Sequence, residues 1–233
     1  MIYNTDCVEF LRECDRYHMI FADPPDNLGL SYGVYRDKIP LSEYYSWLEN
    51  IMHLGTAKCR VFWLSYYWRH DLEIKRRAWS IKAWNAKTFI WRYTFGQHKD
   101  SDCGSGFRYL LRLSSPAWKP DTTGLRVASV RQAIGDKRAD PRGRVPDDVW
   151  DCDVIWDEFP RIVGNSGERR RWHPTQHPEA LMERVVKLSG EGKVLDCFAG
   201  TGTTLRVCKR LGRECDGVEI DPEYVKRMKL DGL

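Results

Sequence analysis

The chain has 233 residues, with 37 Lys and Arg against 33 Asp and Glu, a formal charge of +4, 42% hydrophobic residues and 30% charged. This balance excludes global disorder, and the small positive excess names no polyanionic partner by itself. A chain of this length buries roughly 70% of its unfolded surface, which favours one large domain, or one domain with an inserted subdomain, over several small ones.

In chain order, Thr5 or Asp6 caps a short helix with Val8, Phe10 and Leu11 inward. Tyr17 to Ala22 then reads as a buried strand that stops at Asp23-Pro24-Pro25. Residues 26–40 carry glycine and proline breaks and read as a long loop. The spacing of Leu41, Tyr44, Tyr45, Leu48, Ile51 and Met52 predicts a helix over Leu41 to Leu54. Lys58 to Leu64 follows as a core strand, His70 to Trp79 as a charged helix, and Thr88 to Phe95 and Phe107 to Leu113 as strands. From Gly96 to Arg171 the texture changes to Gly, Pro, Asp and Arg, as in DKRADPRGRVPDD at 136–148. That stretch is too long for a plain loop and too poor in apolar residues for a separate core, so a variable binding insert is expected. Pro178 in the first turn and Leu181, Met182, Val185, Val186 and Leu188 mark a helix ending at Gly190. A β-α-β-α unit closes the chain: strand Lys193 to Asp196, helix Thr203 to Leu211, strand Cys215 to Glu219, helix Pro222 to Leu230.

The cysteines at 7, 14, 59, 103, 152, 197, 208 and 215 include no C-x2-C pair, so reduced intracellular thiols and no metal site are expected. The N-terminus MIYNTDCVEF lacks the basic and apolar regions of a signal peptide. The longest nearly apolar run, Val61 to Trp68, falls far short of the ~20 residues that span a bilayer. A cytoplasmic location without membrane contact is expected.

In VLDCFAGTGTT (194–204) an apolar strand runs into Asp196 and then Phe198-Ala199-Gly200-Thr201-Gly202, ahead of a helix. Glycines at 200 and 202 permit a sharp turn and let a ligand approach the backbone. The next strand ends in Glu219, 17 positions after Gly202, where a Rossmann-like unit sets an acid against ribose hydroxyls. There is neither a third glycine at the dinucleotide spacing nor a Gly-Lys-Ser/Thr, so the loop suits a nucleoside without phosphates. A tight strand-to-helix turn is the alternative reading of a lone G-x-G.

Strand-Asp-x-Phe-x-Gly-x-Gly followed by strand-Glu, Asp-Pro-Pro near the other terminus and His-Pro-Thr-Gln between them resemble the β-class amino-methyltransferases of DNA, over about 1–65 and 160–233. The resemblance implies an α/β, Rossmann-like methyltransferase fold: a doubly wound, mainly parallel sheet with circularly permuted motif order and a variable insert. It implies S-adenosylmethionine as cofactor and DNA as partner. Residues 1–95 would form the catalytic half, 96–171 the insert and target-recognition region, and 172–233 the cofactor-binding half. Asp196, Phe198, Ala199, Gly200, Gly202, Thr203, Thr204, Glu219 and Ile220 would surround the cofactor. His173, Thr175 and Gln176 would close over its methionine end, although a helix cap is the bland reading of His-Pro-Thr. Family members often carry Lys where this chain has His177. The C-terminal unit stops after two strands, so Ile2 to Asp6 is expected to supply a third, bringing Asp6 and Cys7 to the adenine end and the chain termini together.

Asp23-Pro24-Pro25 ends its strand at the carboxyl edge of the sheet, where open α/β folds keep their chemistry. An exocyclic amine is a poor nucleophile because its lone pair is delocalised into the base. Asp23 and the Pro24 carbonyl, accepting its N–H bonds, would pull the nitrogen toward tetrahedral geometry for in-line methyl transfer, and Asp23 is also a cofactor neighbour. The two prolines preorganise these acceptors. The family usually has an aromatic residue next, stacking on the target base; this chain has Asp26. Asp26 cannot stack and is expected to raise one of the two carboxyl pKa values if it approaches Asp23. Tyr32, Tyr35, Tyr66 and Trp68 remain for stacking.

Flipping a base out of a duplex costs a few kcal/mol, so compensating phosphate contacts are expected from Lys137, Arg138, Arg142 and Arg144 and from Arg169, Arg170 and Arg171. A solvated surface is the alternative. Adenine N6 is favoured because the family's cytosine-N4 enzymes usually begin this motif with Ser. Cytosine N4, RNA, a modified base, or a catalytically impaired DNA-binding module are the other readings, the last favoured by Asp26. Family grounds alone admit a homodimer and a restriction endonuclease partner.

Overall fold

The computed structural model describes residues 1–81, 84–97, 100–150, 159–164 and 166–233, with backbone only at 94–97; Cys152 lies outside the described residues. In chain order the first elements are β1 (Ile2–Asn4), α1 (Cys7–Glu13), β2 (Met19–Ala22), β3 (Ser31–Tyr32), β4 (Tyr35–Arg36), α2 (Leu41–Lys58), β5 (Val61–Tyr66) and α3 (Asp71–Ala78). Then follow β6 (Asn85–Gln97), β7 (Ser105–Ser114), α4 (Val130–Ala133), β8 (Val149–Trp150), α5 (Glu179–Ser189), β9 (Val194–Asp196), α6 (Thr203–Arg210), β10 (Cys215–Glu219) and α7 (Pro222–Leu230). The main sheet runs β1-β10-β9-β2-β5-β7-β6-β8. It is parallel from β1 to β5, and antiparallel where β7 pairs with β5 and β6.

Strand alternation explains the two layers. In β2, Ile20 and Ala22 enter an apolar layer with Leu48, Ile51 and Met52 of α2, while Met19 and Phe21 enter another with Leu181, Val185 and Val186 of α5. β5 repeats the division, with Phe62 and Leu64 on the α2 side and Val61 and Trp63 on the α5 side. Helices therefore cover both faces, which makes the sheet doubly wound, and the run MIFA is buried throughout because both faces are occupied.

β1 joins the sheet edge in register with β10, Ile2 opposite Gly217 and Asn4 opposite Glu219. The α-amino group donates to Cys215 O at 3.0 Å and to Asp216 Oδ1 at 2.8 Å. The N-terminal segment thus completes the C-terminal unit, as the permuted motif order requires.

Residues 26–40, read from the sequence as a long loop, hold the β3–β4 hairpin. Asp37, 3% exposed, organises it by accepting the N–H groups of Asn27 (2.7 Å), Leu28 (3.2 Å) and Leu30 (2.9 Å). The hairpin tip meets the start of α7, where Val34 N–H donates to Asp221 Oδ2 at 3.2 Å.

The boundary at 96 falls inside β6, and β7, within 96–171, is an inner strand of the sheet. Trp118, Leu125, Trp150 and Phe159 from the same stretch bury against the α5 layer. A few large side chains let a polar segment join the main core without forming its own. α5 begins at Glu179, with Pro178 at the N-cap instead of in the first turn, and Glu168 Oε2 accepts the Glu179 N–H at 2.9 Å. Among the described residues no helix is long and apolar enough to cross a membrane.

Candidate active site

β2, β9 and β10 run parallel and end together. Phe21 pairs with Asp196, Asp196 with Gly217, and Cys197 N–H donates to Phe21 O at 2.9 Å. The loops that follow therefore face one another across a cavity of about 370 Å³. The N-terminal part of the chain supplies Asp6, Cys7 and Asp23 to Asp26; the C-terminal part supplies His173 to His177, Asp196 to Thr201, Thr203, Thr204, Glu219 and Ile220.

At the C-terminal wall, Gly200 and Gly202 take positive φ values of 49° and 78°. A Cβ on Gly200 would lie 3.1 Å from His173 Nε2, so a side chain there would crowd the turn. Gly200 N–H donates to Glu219 Oε2 and Asp221 N–H to Glu219 Oε1, both at 2.9 Å, fixing the acid at the strand end. Burial pushes Glu219 up to about 7. Burial likewise pushes Asp196 up to about 6, against the Thr204 hydrogen bond and the Phe198 N–H, which donates to it at 3.0 Å. Phe198 packs edge-on to Trp47, ring centroids 5.7 Å apart, and Ile220, an exposed residue, also lines the cavity.

Some expected cofactor contacts have other work. Gly202 does not line the cavity; its left-handed backbone starts α6 as the N-cap. Asp6 does line it, but its Oδ1 accepts Val8 N–H (2.8 Å) and Glu9 N–H (3.2 Å) to cap α1. Gln176 Oε1 accepts Arg170 N–H at 2.9 Å and Nε2 donates to Glu168 O at 2.8 Å, so its amide ties its own loop. His173 Nδ1 lies 2.6 Å from Thr175 O, its ring packs 4.8 Å from Tyr224, and burial lowers its pKa. The helix-cap reading of His-Pro-Thr does not hold, since Glu168 serves the first N–H of α5.

At the catalytic loop, Tyr44 Oη–H donates to Pro25 O at 2.9 Å and pins the prolines. Arg108 of β7 stands between the two carboxylates, donating to Asp23 Oδ1 at 2.8 Å and to Asp26 Oδ2 at 2.6 Å. His177 Nδ1 lies 3.1 Å from Asp23 Oδ2. The expectation that Asp26 would raise a neighbouring carboxyl is therefore corrected for Asp23. Burial opposes its charge, but His177 and Arg108, with hydrogen bonds from His177 and Ser65, outweigh burial and hold it well below the usual carboxylate range. The sequence reading missed Arg108 and Ser65, and noted His177 only as a departure from Lys.

Of the stacking candidates, Tyr32 and Tyr35 line the cavity. Tyr66 is fully buried with its hydroxyl on Asp71 at 2.8 Å, and Trp68 lies outside the lining. Trp91 and Tyr93 of β6 line the cavity instead.

The donor set fits S-adenosylmethionine. Asp23 and Asp196 offer negative charge to a sulfonium and an ammonium, and Glu219 offers oxygens to a diol. Arg169, also in the lining, buries an Nη1 that has no partner among the described residues, a donor suited to a carboxylate.

Residues 17–230 match the family model of the N6/N4 methyltransferases, described as DNA methylase. The chain belongs to this family of DNA methylases. The methylase is 28% identical over 249 residues to the Type II methyltransferase M.ScaI of Streptomyces caespitosus, across 97% of this chain and 78% of that one. It is 28% identical over 228 residues to the DNA adenine methyltransferase YhdJ of Escherichia coli (strain K12), across 89% of this chain and 73% of that one. Its fold matches the crystal structure of the M1.HpyAVI–SAM complex with a TM-score of 0.62 at 18% identity, covering 99% of this chain and 97% of that one.

The basic clusters of the methylase are largely paired. Arg138 bonds Asp136 and Arg142 bonds Asp140, both at 2.9 Å, and Arg144 reaches Asp147 at 3.3 Å. Arg170 bonds Asp231 at 2.8 Å and Arg169 lines the cavity, while Lys137 and Arg171 are exposed.

Proposed function

We propose that this DNA methylase transfers a methyl group from S-adenosylmethionine to the exocyclic amine of a flipped base, with adenine N6 as its target. The observation that carries the reading is the facing of the Asp23-Pro24-Pro25 loop and the Asp196 and Glu219 strand ends across one cavity. S-adenosylmethionine, when bound, supplies an electrophilic methyl carbon on a sulfonium sulfur. Asp196 and Asp23 favour that positive charge, Glu219 accepts from hydroxyls, and Phe198 with Ile220 offers an apolar slot to a base.

Asp23 and the Pro24 carbonyl accept the two N–H bonds of the substrate amine and turn its lone pair toward the methyl carbon. Asp23 is suited to accepting because its partners keep it ionised. A carboxylate held this low keeps a proton only transiently, so the proton lost from the methylated amine passes on to solvent. No covalent intermediate with the enzyme is needed.

Adenine is supported by the Asp that opens the motif and by the adenine specificity in the name of YhdJ. Cytosine N4 is the second reading, because the family takes its name from both amines. An endonuclease partner is in keeping with the Type II designation of M.ScaI. The test is incubation with methyl-labelled cofactor and genomic DNA, followed by digestion to nucleosides. Label in N6-methyladenine supports the proposal, label in N4-methylcytosine moves the target, and cofactor binding without transfer overturns it. Asp23→Ala should abolish transfer while weakening cofactor binding far less than it lowers the rate, because Asp196 and Glu219 remain.

A further inference from the structure

Four side chains, Asp26, Ser65, Arg108 and His177, close a network on Asp23. Arg108 Nη1 donates to Asp26 Oδ2 at 2.6 Å and Nη2 to Asp26 Oδ1 at 3.0 Å, a two-pronged fork on one carboxylate. Nη2 also reaches Asp23 Oδ1 at 2.8 Å, and Nε donates to Ser65 Oγ at 2.6 Å. Ser65 Oγ lies 3.1 Å from His177 Nε2, and His177 Nδ1 lies 3.1 Å from Asp23 Oδ2. Asp26 is itself held, since Tyr67 N–H donates to its Oδ1 at 3.0 Å and His70 Nε2 lies 2.8 Å from its carbonyl oxygen.

A guanidinium fork spans both oxygens of one carboxylate, and that pairing is the strongest geometry open to it. Here the fork belongs to Asp26. Asp23 receives a single guanidinium contact, on one oxygen, and keeps acceptor capacity for a substrate amine. With the charge of Asp26 removed, Asp23 becomes the strongest anion within reach of Arg108, and the fork can turn onto it and cover both oxygens.

We propose that Arg108 is a positioning residue for methyl transfer and that Asp26 is its anchor, holding the guanidinium so that it orients Asp23 without masking it. This rests on the reading of Asp23 as the acceptor for the amine. Asp26 then counts as a working part of this site and not as a lesion in it, and an aromatic residue at position 26 would release Arg108.

The test compares wild type with Asp26→Asn, Asp26→Tyr, Arg108→Lys and the double variant Asp26→Asn/Arg108→Lys. Turnover and KM for DNA are measured alongside cofactor affinity by calorimetry. Asp26→Asn should lower kcat by about 10- to 100-fold while KM for DNA and cofactor affinity stay within about twofold. Asp26→Tyr should fall at least as far, and Arg108→Lys, which keeps the charge but loses the fork, should also fall. The double variant should lose less than the product of the single losses, because both act on one contact. Full kcat in Asp26→Asn, a gain in Asp26→Tyr, or single losses that simply multiply would overturn the proposal. If Asp26→Tyr does not fold, the near-isosteric Asn variant and the double variant decide. A wild-type protein that transfers no methyl group sinks the methyltransferase reading, and this inference with it; an active wild type with unaffected variants sinks the inference alone.

Discussion

His177 sets its Nδ1 3.1 Å from Asp23 Oδ2, with its ring edge-on to Phe21 at a centroid distance of 5.9 Å. With Nε2 3.1 Å from Ser65 Oγ, the ring is held at both nitrogens. The Ser65 oxygen that the ring meets also accepts Arg108 Nε–H at 2.6 Å, so His177 and Arg108 reach Asp23 from one shared support. His177→Ala should lower kcat about tenfold and leave cofactor affinity little changed, since the ring orients the acceptor. His177→Lys should fall between the two, because an ammonium can reach Asp23 but is not held at a second point by Ser65 as the ring is. Steady-state kinetics with DNA, beside calorimetry for the cofactor, checks both.

Cofactor affinity should fall as pH is lowered. Burial pushes Asp196 up to about 6 and Glu219 up to about 7, so both take up protons in a range where an ordinary carboxyl is ionised. A cationic ligand binds the ionised form of Asp196 better, and a hydroxyl donates better to an ionised Glu219. The linkage sign is therefore fixed: affinity is greatest above about pH 8 and weakens through 7 and 6. Calorimetric titration down to about pH 5 measures it. Asp196→Asn should bind more weakly at high pH and lose the step near 6; an unchanged profile would remove Asp196 from the cofactor site.

Asp23 and Asp196 were legible in the sequence because each follows a short apolar run and precedes a turn, and Glu219 because it ends the strand 17 positions after Gly202. Asp23, Asp196 and Glu219 sit where those signals put them, and the pairing of Ile2–Asn4 with β10 follows from counting the strands the C-terminal unit lacks. Arg108 was not legible as a partner of Asp23, which lies 85 positions earlier in the chain. Only the antiparallel pairing of Tyr66 with Tyr109 carries Arg108 to the catalytic edge. A signal did exist, since an arginine inside the predicted strand Phe107 to Leu113 needs a partner once that strand enters a sheet, an anion for Arg108 and aromatic faces for Arg112. The β3–β4 hairpin escaped notice because its strands are two residues long and its order comes from one buried carboxylate, Asp37.

Asp221 joins the hairpin to the cofactor edge and should matter to both. Its Oδ1 accepts Glu223 N–H at 2.8 Å and Tyr224 N–H at 3.4 Å as the cap of α7, while Oδ2 takes Val34 N–H. Loss of a helix cap costs about 1 kcal/mol, which in a domain of this size lowers Tm by about 2–4 °C. Asp221→Ala should show that drop in calorimetry. It should also weaken cofactor binding, because the same variant frees the hairpin that carries Tyr32 and Tyr35 to the cavity.

Arg138, Arg142 and Arg144 of the insert are paired within the chain, and this gives the expected DNA contacts a distinctive test. Arg138 and Arg142 each turn back onto the aspartate two residues earlier, with Nε at 3.0 Å and 3.1 Å from Asp136 and Asp140. Exposed pairs of this kind are screened by salt and exchange readily for another anion. If these guanidiniums meet phosphate, Asp136→Asn with Asp140→Asn should tighten DNA binding, since the internal competitors are gone. Arg142→Ala should weaken it on every sequence and flatten the slope of log K against log salt by about 0.9. Arg171→Ala, on the exposed run before His173, should do the same. Fluorescence anisotropy across a salt series separates the two clusters. A cluster whose variants leave the slope unchanged does not touch the phosphate backbone.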